Sequence, residues 1–151
     1  MTWHALAADT VRVLLAKICT TDWGWTKEEV PALAERFEWT AWSENSANQL
    51  FYNIGSDYRS IVAIFSCVEG NVTHLFFTLG RNEGPATAES IESSEILFTD
   101  VHDVIRQILG EPSNWPPSEN MEEEVEWVSG VSTITLMGRV EMVSVRWEMT
   151  E

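Results

Sequence analysis

Two apolar runs, "SIVAIFSCV" at residues 60–68 and "VTHLFFTL" at 72–79, are separated only by Glu69-Gly70-Asn71. A connection this short, with a glycine inside it, joins neighbouring antiparallel strands, because a parallel crossover needs a dozen residues or more. The two runs read as the central strands of an antiparallel sheet. Further strands are predicted at about 39–43 and 49–54, with "GSDYRS" as the turn before the central pair, and near 122–128, 131–137 and 140–149. In the last strand Val143, Val145, Trp147 and Met149 alternate with Ser144, Arg146 and Glu148. One face of the sheet should therefore meet helices and the other should partly meet solvent.

Helical spacing appears in three places. Val11, Leu14, Leu15 and Ile18 form an i, i+3, i+4, i+7 stripe that predicts a helix over 9–19, with Asp9 as N-cap. Thr26-Lys27-Glu28-Glu29 has the form of a capping box for a second helix, with Trp25 and Val30 at hydrophobic-staple positions. Pro31 removes a backbone donor, so that helix either kinks there or starts later. Gly24 lets the chain turn out of the first helix, and the pair Trp23 and Trp25 reads as a hinge clamping helices one and two. A third helix is expected from Asp100 to Leu109, closed by Gly110 and Pro112. The polar stretch "GRNEGPATAESIESS" before it reads as a connection leading to an edge segment at Glu95–Phe98. The expected architecture is α+β in the order ααββββαβββ, two N-terminal helices and one later helix packed on an antiparallel sheet.

A chain of 151 residues with 44% hydrophobic content fits one domain spanning 1–151, able to bury its core without a metal or disulfide. Cys19 and Cys67 have no paired spacing and read as buried reduced thiols, which points to a reducing, cytoplasmic compartment. The first 19 residues lack a basic leader and carry Asp9, Arg12 and Lys17, so neither a signal peptide nor a membrane span fits them.

Charge narrows the range of partners. The chain carries a formal net charge of −15, and residues 83–126 alone hold twelve acids against Arg106. Phosphates would be repelled and no Lys/Arg cluster offsets that, so nucleic acid and anionic membrane are excluded as expected partners. No cofactor is expected, because phosphate-cradling, dinucleotide, nucleophile-elbow and zinc-protease motifs are all missing. His4, His74 and His102 stand far apart without ligand-spaced companions, so no metal is expected. His74 reads as a satisfied strand residue and His102 as an exposed helix residue. Asp100 and Asp103 could do acid/base work, but at a helix N-terminus they read more simply as caps that complement its dipole. No catalytic residue is assigned, and the chain is expected not to be an enzyme.

"SENMEEEVEW", residues 118–127, is the sharpest electrostatic feature. As a strand it projects Glu122, Glu124 and Glu126 from one face, roughly 7 Å apart, and Glu123, Val125 and Trp127 from the other. Such a row is either a solvated face that protects an edge from aggregation or a docking surface for a basic protein. In the docking reading the partner-binding residues are Trp115, Glu119, Glu122, Glu124, Glu126, Asp100 and Asp103, with Trp115 and Trp127 as aromatic anchors.

"DWGWTKEEVPALAERFEW", then "DVIRQILGEP", then "EEEVEWVSGVSTITLMGRVEMVSVRW" resemble a family of small, acidic, uncharacterised actinobacterial proteins. Families of this kind are similar to immunity proteins of polymorphic secreted toxin systems. The motifs are structural, resting on Trp23, Trp25, Phe37 and Trp39 at one end and Gly110, Pro112 and Trp127 at the other. The resemblance implies a non-catalytic binder that occludes the active-site cleft of a basic toxin domain. The alternative is a small secretion chaperone or adaptor that holds its partner in an apolar groove, and salt dependence separates the two.

Overall fold

The structure, a computed structural model, describes residues 2–42, 46, 48–55, 58, 61–113, 123–129, 132–139 and 141–149, with Thr2 and Glu123 described by backbone alone. Eight strands are present among them: β1 (Thr2–Ala5), β2 (Thr40–Ala41), β3 (Gln49–Asn53), β4 (Val62–Val68), β5 (Asn71–Glu83), β6 (Glu123–Ser129), β7 (Ser132–Gly138) and β8 (Met142–Met149). They form one antiparallel sheet in the order β2-β3-β4-β5-β8-β7-β6, and β1 pairs with β5. Three α-helices complete the fold: α1 (Ala8–Thr20), α2 (Val30–Arg36) and α3 (Ala88–Leu109). The α+β class and the succession of helices, strands, helix and strands are as the sequence predicts.

The central hairpin is β4 and β5, and β5 runs to thirteen residues because it serves three partners. Gly80 and Arg81 pair with both Ala5 and His4 of β1 and Val143 and Met142 of β8, so β1 continues the β4 side of β5. β1 is an addition to the expected order. The pairing is hidden in the sequence because "GRNE" reads as the start of a polar connection, whereas here these residues are the distal end of β5.

Alternation sorts the sheet into two faces. Phe65, Leu75, Phe77, Val125, Trp127, Ile134, Leu136, Val143, Val145 and Trp147 are buried in one core with Leu15, Ile18, Val30, Leu33, Val101 and Ile105 of the helices. Burying a side chain of this size contributes about 1.5–3 kcal/mol, so this face holds most of the apolar driving force. Met149, expected on the same face, is exposed at the strand end.

Two local expectations need correction, and a third is decided between its alternatives. Asp9 does not cap α1: Ala7 is the N-cap, and Asp9 lies in the first turn beside Arg12 at 3.8 Å. The capping box at Thr26 does not form either. The Thr26 hydroxyl donates to Glu29 Oε1 at 2.8 Å, and Glu29 Oε2 accepts from Gly24 N at 3.0 Å, so the carboxylate closes the turn before it. Lys27–Glu29 is a 3₁₀ turn, and α2 starts at Val30 with Pro31 in its first turn, where a missing donor has no cost.

The tryptophan pair packs differently from a clamp between helices. Trp25 is buried with a positive φ of 57°, and its carbonyl accepts from Val72 N at 2.8 Å, so the chain there is bonded to β5. The ring centroids of Trp23 and Trp25 are 4.8 Å apart, and Trp25 lies 5.1 Å from Trp147. The pair fastens the α1–α2 connection to the sheet.

Candidate functional site

The largest correction sets the site. Where an edge segment and a short helix were expected, residues 88–109 form one 22-residue helix. Its start is well determined: the Thr87 side chain accepts from Ser90 N at 3.1 Å, and Ser90 Oγ accepts from Thr87 N at 2.8 Å. Its buried stripe is Ser90, Ser94, Leu97, Val101 and Ile105, and Ser94 Oγ donates to Arg139 O at 2.9 Å. Gly110, at φ 88°, ends it, and Trp127 Nε1 donates to Gly110 O at 3.0 Å. Both ends of α3 are thereby fixed to the last three strands.

Asp100 and Asp103 consequently lie in the middle of α3, a full three turns from its N-terminus, and the capping explanation for them fails. Both line an open groove of about 560 Å³ between α1 and α3. Leu6, Val11 and Leu97, all buried, form its floor with Trp3 and Val104. Ile96, 56% exposed, and Arg12 stand at its rim. The floor is tight at one point, because a Cβ on Gly80 would come within 2.5 Å of Leu97 and 2.6 Å of Trp3. A second groove, of about 360 Å³, opens on the other flank of α1 and includes Lys17, Phe37 and Trp39.

The expected glutamate row lies elsewhere. Glu124 is exposed and Glu126 half-buried on the sheet face turned away from the helices, while Val125 and Trp127 point inward as alternation requires. Trp115, Glu119 and Glu122 fall outside the described residues. Trp127 cannot serve as a surface anchor: it is 1% exposed and its ring meets His102 at 5.4 Å. His102 is therefore half-buried against β6, not the exposed residue expected from its helix position.

Pairing places Phe51, Ile64, Phe76, Arg146, Thr135 and Glu126 in one row across six strands of this outer face. Its apolar half lies on β3, β4 and β5 and its polar half on β8, β7 and β6. Arg146 Nε lies 3.4 Å from Glu148 Oε1, so a cation sits among the carboxylates here. Thr135, 2% exposed, has no hydrogen-bond partner for its hydroxyl among the described residues.

Asp100 and Asp103 thus share one groove, and Glu124 and Glu126 share a different face, on opposite sides of the sheet. The sequence reading missed Trp3, Arg12 and Ile96. The signal for Ile96 is the spacing 93, 96, 97, 100, 103, 104 and 107 along α3, visible only once the helix begins at its Thr87 cap, while Trp3 and Arg12 join the groove only through the tertiary fold.

Among the described residues no three His, Cys, Asp or Glu side chains gather as a metal site. No described helix is long and apolar enough to cross a membrane. Burial pushes the Cys19 thiol up to about 12 and raises that of Cys67, partly offset there by the charge of Lys27. Both are free cysteines held as neutral thiols, poor nucleophiles by that fact.

The model of a family of unknown function, DUF6301, matches residues 9–149, and the chain belongs to that family. No curated protein matches it. Among solved structures it is similar to a DUF4309 family protein, YjgB, from Bacillus subtilis, at 14% identity and a TM-score of 0.48 over 95% of this chain and 98% of that one.

Proposed function

We propose that this member of a family of unknown function is a non-catalytic, immunity-type protein that binds a basic toxin domain in the cytoplasm and neutralises it by occluding its active-site cleft. The observation that carries this reading is the α1/α3 groove, where Asp100 and Asp103 flank an apolar floor in a chain of net charge −15. Toxins acting on phosphate-bearing substrates need a positive cleft. An acidic surface is drawn to such a cleft by long-range attraction, and apolar contact then slows its release. The free thiols of Cys19 and Cys67 fit a reducing compartment.

The apolar floor made by Trp3, Leu6, Val11, Leu97 and Val104 favours one second reading, a secretion chaperone or adaptor that holds its partner by burial alone. The two separate on salt and on the fate of the partner. With the chain as bait in native lysate, the immunity reading expects a stoichiometric basic partner that kills cells lacking this protein. Its affinity should fall about tenfold or more as salt rises from low to about 0.5 M. Binding unchanged by salt, to a partner that is harmless when expressed alone, would favour the chaperone. Recovery of no stoichiometric partner would sink both.

A further inference from the structure

We propose that the element received by the α1/α3 groove is a basic amphipathic helix of the partner protein, which rests on the reading of this chain as a binder of a basic protein. The length of the groove is the first argument. Its α3 wall runs from Ser93 to Gln107 at intervals of three and four residues, which at about 1.5 Å per residue is roughly 21 Å of straight helix face. A helix of about four turns covers that length.

Backbone chemistry is the second argument. The long wall is the middle of α3, whose N–H and C=O groups are bonded within the helix, while the facing side is made by Trp3, Leu6 and the residues Ala8, Val11 and Arg12 at the start of α1, and the floor is apolar. An extended segment laid there would lose its water without gaining partners, at a cost of about 1–3 kcal/mol for each buried unsatisfied group. A helix brings its own bonds and needs only side-chain contact.

Charge is the third argument, and it sets the orientation. α3 carries five acids and one base, a net of −4, whereas α1 carries Asp9, Arg12 and Lys17, a net of +1. Asp100 and Asp103, one turn apart, line the α3 side, and Arg12 on the α1 side has Asp9 at 3.8 Å. The incoming helix turns its Lys/Arg edge toward α3 and its apolar stripe onto Trp3, Leu97 and Val104, with Ile96 closing over it.

The test uses the full chain and fluorescein-labelled peptides of about 16 residues, long enough to span the groove. One carries leucine and lysine at helical spacing, one has the same composition scrambled, and one has glutamate in place of lysine. By anisotropy at low salt, the lysine helix should bind at least about tenfold tighter than either control. Asp100→Asn with Asp103→Asn, and separately Ile96→Glu, should each remove about tenfold, while Glu124→Gln with Glu126→Gln on the opposite face stays within about twofold. Thermal melting of each variant confirms that it folds.

Equal binding of the scrambled peptide, or an Asp100/Asp103 variant that binds like the parent, overturns the proposal. Sedimentation of the chain alone as a dimer that Ile96→Glu converts to monomer also overturns it, assigning the groove to a second copy. The outcomes separate the two readings. A captured toxin still neutralised by the Asp100/Asp103 variant leaves the proposed function standing without this groove, and peptide binding without any neutralised partner does the reverse.

Discussion

The groove between α1 and α3 and the outer face of the sheet both display carboxylates, but on different foundations. In the groove, Asp100 and Asp103 stand over a floor of buried Leu6, Val11 and Leu97, with half-buried Trp3 and Val104 and exposed Ile96 as the apolar surface open to contact. On the outer face, Glu126 stands opposite Thr135, which in turn stands opposite Arg146, and Glu148 pairs with Arg146 at 3.4 Å. Here the charge protects the edge strand β6, beside a β7 threonine that is itself only 2% exposed. Carboxylates over an apolar floor have the composition of an interface, with anchors at the centre and charge at the rim. Charge count alone does not distinguish the two regions; what lies beneath the charge does.

The two regions share one structural link, and breaking it should have the largest effect. Trp127 lies on the inner side of the strand whose outer side holds Glu124 and Glu126, and it bonds to Gly110 at the end of the helix holding Asp100 and Asp103. Trp127→Ala should cost about 3–5 kcal/mol, read as a shift of the urea midpoint. Both regions should loosen together in hydrogen exchange. A loss below about 1 kcal/mol would show that β6 and α3 are held independently.

A smaller change should disturb the groove and leave the outer face intact. Gly80→Ala places a methyl group 2.5 Å from Leu97 and 2.6 Å from the Trp3 ring. The leucine end can rotate, but the indole cannot bend, so about 1–3 kcal/mol is expected, together with weaker binding of a basic helix. Unchanged binding in Gly80→Ala would mean that the floor plays no part in recognition.

Sequence periodicity made the sheet legible because one face of each inner strand is buried, which makes alternation obligatory along Val143, Val145 and Trp147. The first half of α3 was not legible for the opposite reason. Its inward positions 90 and 94 are serines, buried at 3% and 5% exposure, and small polar residues look like loop in a hydrophobicity pattern. One holds the cap through Thr87, a local contact, and the other bonds to Arg139 in the β7–β8 turn, a contact distant in sequence. Misplacing that boundary moved Asp100 and Asp103 from mid-helix to a cap. It also hid the groove, since Trp3 reaches α3 only through a strand pairing that four residues cannot announce.

The cap itself supplies the next test. Thr87→Ala removes the hydroxyl that accepts from Ser90 N and should cost about 1 kcal/mol, measured by thermal unfolding. The fraying it causes should reach Ile91 before Ile96. The groove should therefore keep most of its affinity for a basic helix, and a complete loss would place the recognition surface nearer the helix start than Asp100.

The smallest stability effect is expected at the residues to which the proposed binding mode gives the largest part in recognition. Asp100 and Asp103 are exposed and distant from either end of α3, so neither the helix dipole nor a cap gives them a structural role, and the contact of Asp103 Oδ1 with His102 Nδ1, at 4.0 Å, is a weak one. Asp100→Asn with Asp103→Asn should change unfolding free energy by no more than about 0.5 kcal/mol in either direction. Removing two like charges from a helix of net −4 acts, if anything, toward stabilisation. A residue pair kept for folding cannot be neutralised without loss, whereas a pair kept for a partner can. If equilibrium unfolding instead shows a cost above about 1 kcal/mol, the carboxylates serve the packing of α1 on α3, and the groove loses its distinction from the outer face.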